Sequence, residues 1–90
     1  MKNIFLSANK IINERAEEKE RQYGPIDESL FRACKIYEGM TGQNIELKNM
    51  YKMLVALKLS RESYAHKYDN ILDAIAYLGA LSNFEERKTK

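Results

Sequence analysis

Apolar residues recur every three or four positions along nearly the whole chain, the spacing that places them on one face of an α-helix. Ile4, Phe5, Ala8, Ile11, Ile12 and Ala16 form the first such stripe, which predicts a helix from about Asn3 to Tyr23. It is expected to stop at Gly24-Pro25, because glycine accepts the left-handed cap conformation and proline cannot continue the hydrogen-bond ladder. A second helix is expected to open at Asp27, whose carboxylate can cap free amides, and to carry Leu30, Phe31, Cys34, Ile36 and Tyr37 before Gly39. Thr41-Gly42-Gln43-Asn44 reads as a loop.

The third helix is expected from about Ile45 to Tyr64, with Leu47, Met50, Leu54 and Leu57 on one face. Tyr51, Val55 and Leu59 extend its apolar character around the cylinder, as in the central helix of a bundle or a helix with one face at a subunit interface. The polar and aromatic run Ser63-Tyr64-Ala65-His66-Lys67-Tyr68 breaks the pattern before Asp69 opens a fourth helix. That helix reaches about Glu86 through Ile71, Leu72, Ile75, Leu78, Leu81 and Phe84. The pattern predicts an all-α, small four-helix bundle-like domain over residues 1–90, oligomeric, with a frayed basic tail at residues 87–90.

A domain of 90 residues buries only roughly 60% of its unfolded surface, so self-association would help it. The 15 basic and 13 acidic residues nearly balance, and no block of like charge resembles a nucleic-acid arm, which argues against a duplex partner. The lone Cys34 sits among apolar neighbours and reads as a small buried hydrophobe; one cysteine allows neither an internal disulfide nor a cysteine metal site. Near the start, Asn9-Lys10 interrupts the apolar run before a signal-peptide core is complete, and nothing approaches a membrane span. A soluble, cytoplasmic protein is expected.

Two groups of residues can carry chemistry. Asp69 and Asp73 lie on one face of the fourth helix, and Glu14, Glu17, Glu18 and Glu20 cluster on the first. Such carboxylates could share a magnesium ion, a hard cation that keeps waters for nucleotide phosphates. The same glutamates alternate with basic residues in Arg15-Ala16-Glu17-Glu18-Lys19-Glu20-Arg21, the pattern of a solvated helical face. The second group is basic and aromatic: Lys58, Arg61, Tyr64, His66, Lys67 and Tyr68, with Tyr23 in possible reach. Arginine can grip a phosphate with two hydrogen bonds, lysine adds a point charge and tyrosine can stack on a base. Alternatively, Lys58 and Arg61 simply pair with Asp69 and Asp73 across the hairpin. There is no Gly-rich phosphate loop and no Ser/His/Asp or Cys/His set at interpretable spacing.

The order Arg21-Gln22-Tyr23-Gly24-Pro25, Glu28-Ser29-Leu30-Phe31, Leu57-Lys58-Leu59-Ser60-Arg61 and Asp69 to Leu81 resembles a small family of uncharacterised tailed-phage proteins. Its members carry a Tyr-Gly turn, a Leu-Lys-x-x-Arg signature and an Asp-x-x-x-Asp-x-x-x-Tyr helix. The chain departs from them at Tyr64-Ala65-His66-Lys67-Tyr68, where family members often have a shorter turn. The resemblance implies a phage origin, hence the host cytoplasm, an all-helical fold and an association with nucleotide metabolism. A looser likeness is to MazG-like nucleotide pyrophosphohydrolases, whose E-x-x-E pair faces an E-x-x-D pair; Glu14 to Glu17 and Glu17 to Glu20 fit, whereas Asp69 and Asp73 are spaced D-x-x-x-D and follow about 50 residues later, not on the next helix.

The leading expectation is therefore a homo-oligomeric nucleotide-binding protein, a sponge for a cyclic nucleotide immune signal. In it Lys58 and Arg61 hold phosphate, Tyr23 and Tyr68 contact base or sugar, and Asp69 and Asp73 orient the basic groups or accept from base donors. No cofactor is expected for binding alone. The alternatives are a magnesium-dependent pyrophosphohydrolase and a protein-binding inhibitor of a host enzyme that docks through the third helix.

Overall fold

A computed structural model describes residues 3–13 and 26–89. Among them are four helices and no strand: α1 (Ile4–Asn13), α2 (Ile26–Thr41), α3 (Leu47–Tyr64) and α4 (Tyr68–Thr89). The all-α expectation holds. The turn expected at Gly24-Pro25, Tyr23 and the glutamates at 14, 17, 18 and 20 lie outside the described residues.

The antiparallel α3–α4 hairpin is the centre of the fold, with α1 packed on α4 and α2 more lightly on α3. Helix α2 runs through Gly39 and ends one turn later than expected. The stop is Gly42, whose φ of 74° lies in the left-handed region and whose N–H donates to Glu38 O at 2.8 Å. Thr41 reinforces this end: its hydroxyl donates to Tyr37 O at 2.9 Å and accepts from Gln43 N at 3.1 Å. Gly39 interrupts nothing because a helical glycine costs only about 1 kcal/mol relative to alanine. Helix α4 passes the expected end at Glu86, since Arg87 pairs with Asp27 on α2 and ties its last turn to the domain.

The buried side chains are mostly small. Ala8, Cys34, Ala74, Ala76 and Ala80 are buried, and Tyr51 is the one large side chain fully buried among the described residues. Small residues let helix axes approach closely. At Gly79 the approach of α1 is so close that an added Cβ would overlap the δ-methyl of Ile12. Next to this contact Asn83 Nδ2 donates to Asn13 Oδ1 at 3.4 Å, and Asn13 in turn donates to Asn9 at 2.7 Å.

The buried face of α3 is centred on Tyr51 and Lys58; of the expected stripe Leu47, Met50 and Leu54 are half-buried beside it, whereas Leu57, like Leu59, is exposed. Tyr51 donates its hydroxyl to Asp27, the carboxylate that Arg87 also binds, so one acid joins α2, α3 and α4. A buried phenol needs such an acceptor, because an unpaired buried hydroxyl costs about 1–3 kcal/mol.

Candidate functional site

The polar residues singled out in the sequence gather where α3 ends and α4 begins. Lys58 and Asp73 meet face to face, Nζ to Oδ2 at 3.0 Å, with side chains 18% and 32% exposed. Two apolar residues at these inward positions would bury without desolvation cost; a half-buried ion pair carries that cost and offsets it by attraction. Arg61 is one helical turn beyond Lys58, exposed, and has no ion pair among the described residues. Asp69 is exposed in the first turn of α4, where a negative charge suits the helix dipole. Tyr68 is half-buried with its hydroxyl buried, so its polar end faces inward and not toward a solvent-borne ligand.

The organiser of this end is Glu62, which the sequence reading passed over. One carboxylate oxygen accepts from Lys67 N at 3.1 Å and Asn70 Nδ2 at 3.4 Å; the other bonds His66 Nδ1. Asn70, only 7% exposed, also donates to Ala65 O at 3.4 Å. Glu62 thus supplies an acceptor for the Lys67 N–H just ahead of α4 and for the side-chain amide of Asn70 in its first turn. The His66 hydrogen bond, followed by those from Lys67 and Asn70, holds the Glu62 carboxyl below the ordinary value of 4.5, against a smaller opposing effect of desolvation. The spacing Glu62 to His66, i to i+4, was a usable signal for this pair.

Of the six residues expected to bind a ligand, the structure brings Lys58 and Asp73 into contact, places Arg61 and Asp69 exposed at the same end of the hairpin and turns Tyr68 inward; Tyr23 is outside the described residues. Asp73 is occupied by Lys58, and among the described residues no group of three His, Cys, Asp or Glu side chains is placed to hold a metal ion. Elsewhere, burial pushes the Cys34 thiol pKa up, which suits the expected buried hydrophobe rather than a nucleophile. No described helix is long and apolar enough to cross a membrane.

The family described as a domain of unknown function (DUF6378) matches residues 3–85, and the chain belongs to it. No curated protein and no solved structure matches.

Proposed function

We propose that this member of the DUF6378 family binds the phosphate of a nucleotide at the α3–α4 hairpin end and retains it without turnover. The observation that carries this reading is Arg61: an exposed guanidinium with no acidic partner among the described residues, one turn from a lysine held in place by Asp73. A guanidinium offers five donors in a fixed fork that fits two phosphate oxygens, so an unpaired one beside a fixed ammonium suits an anionic ligand. Lys58 keeps donors beyond the one directed at Asp73. Asp69, exposed nearby, can accept from a base or ribose hydroxyl. Retention needs affinity alone, and the phage resemblance gives it a purpose: sequestering a cyclic nucleotide signal of the host.

The pyrophosphohydrolase alternative asks Asp69 and Asp73 to share magnesium with first-helix glutamates, and so asks Asp73 to leave Lys58. One experiment separates the two. The protein is incubated with magnesium and with ATP, GTP, cyclic dinucleotides and cyclic trinucleotides, filtered away, and the filtrate is chromatographed before and after heat release. A nucleotide that disappears and returns intact on heating supports retention. New monophosphate or linear products would establish hydrolysis instead, and unchanged passage of the whole panel would refute both.

A further inference from the structure

A cavity of about 320 Å³ lies between α2, the start of α3 and the end of α4. It is about 20 Å along α3 from Arg61, so it is separate from the hairpin end. Its apolar wall is made by Phe31 and Cys34 of α2, Ile45 and Leu47 at the entry to α3, and Phe84 of α4. Burial keeps the Cys34 thiol pKa high, so this wall carries no charge. Charges of both signs stand around the mouth: Lys35 and Glu38 on α2, Glu46 and Lys48 at the start of α3. Each pairs with its neighbour at long range, Lys35 Nζ to Glu38 Oε2 at 3.8 Å and Lys48 Nζ to Glu46 Oε2 at 3.6 Å. Exposed pairs of this kind contribute about 0–1 kcal/mol, so each charge can turn to a ligand at little cost.

We propose that this cavity binds a free amino acid with an apolar side chain of leucine to phenylalanine size. Sites for small ligands start at about 300 Å³, and at about 30 Å³ per water-sized group this one holds about ten non-hydrogen groups. The side chain packs against Phe31 and Phe84, where a ring or a branched aliphatic group is removed from water. The two cations and two anions of the mouth sum to zero, which favours neither a bare anion nor a bare cation. A zwitterion meets both signs.

The ligand's carboxylate falls to Lys48 and to the first amides of α3, where Glu46, at the N-cap position, makes no side-chain capping hydrogen bond. Its ammonium falls to Glu38 across the mouth. A nucleotide, rich in negative charge and lacking a cation, meets Glu38 and Glu46 here and gains nothing from them. The inference is therefore independent of the phosphate reading at Arg61 and stands or falls separately from it.

Equilibrium dialysis of radiolabelled phenylalanine against the full chain tests it, with unlabelled compounds as competitors and circular dichroism reporting the fold. Phenylalanine and leucine are expected to compete. N-acetylphenylalanine, which lacks the ammonium, phenylalaninamide, which lacks the carboxylate, and serine, which lacks the apolar body, should each compete at least about tenfold less well. Lys48→Glu should weaken retention by a similar factor. Lys52→Glu, exposed one turn further along α3 and outside the cavity wall, makes the same change of charge and should retain phenylalanine as the wild type does. Should Lys48→Glu fail to fold, the competitors decide the matter on the wild-type protein. No retention of phenylalanine, competition by N-acetylphenylalanine or phenylalaninamide equal to that of phenylalanine, or equal losses in Lys48→Glu and Lys52→Glu would overturn the proposal.

Discussion

Lys58 on α3 and Asp73 on α4 form a half-buried ion pair at 3.0 Å, and the hairpin closes around it. The pair is both a clamp and the support from which Arg61 extends, so removing either member has a structural cost. Lys58→Ala and Asp73→Ala should each lower stability by about 1–3 kcal/mol, between the values for exposed and buried pairs, because each leaves the other charge half-buried. Replacing both, as Lys58→Ala with Asp73→Ala, should cost less than the two single losses added together. Urea melts of the four proteins give the coupling directly, and strictly additive losses would show that the pair contributes no coupling energy.

The Glu62 cap predicts a sensitivity to acid. Its folded-state pKa is depressed, chiefly by the His66 hydrogen bond, so its stabilising contribution is present above the ordinary value of 4.5 and is lost as pH falls through the lower folded value. Glu62→Gln should therefore lower Tm at neutral pH and flatten the acid limb of the Tm-against-pH curve. The difference between variant and wild type should shrink as pH drops below that range. A constant difference at every pH would mean that the carboxylate charge contributes nothing.

Tyr51, Asp27 and Arg87 make a testable three-helix junction. Tyr51→Phe keeps the ring and removes the bond to Asp27, for a loss of about 1–2 kcal/mol. Tyr51→Ala also opens a cavity at the most buried position of the core and should cost about 3–5 kcal/mol, as large aromatic truncations do. Arg87→Ala, on the more exposed side of the junction, should cost under about 1 kcal/mol. Chemical denaturation ranks the three, and a Tyr51→Phe protein as stable as wild type would remove the bond from the energetics.

The helices were legible in the sequence because three- and four-residue periodicity and Gly/Asn-rich breaks are local signals. Their ends were less so: Gly39 and Gly42 look alike in sequence, and only the one with positive φ stops α2. Which face of each helix is buried was harder still. The leucines of α3 promised a stripe through Leu57, yet alanines on α4 admit a close approach centred on Tyr51 and Lys58. The opposed charges of Lys58 and Asp73 were legible as a pair of alternatives, clamp or site, and the geometry shows the contact. Asp27, Tyr51 and Arg87 lie 24 and 60 positions apart in pairs, and no local pattern connects them.

Equilibrium dialysis of the nucleotide panel against wild-type protein and Arg61→Ala tests the phosphate reading most directly. Arg61 is exposed and has no ion pair among the described residues, so its removal should leave the melting curve within about 0.5 kcal/mol of wild type. The wild type is predicted to retain at least one nucleotide, with retention weakening as salt rises, and Arg61→Ala to lose it tenfold or more, about 1.4 kcal/mol or above. Retention that is equal in the two proteins, or absent from both, would contradict a phosphate site at Arg61.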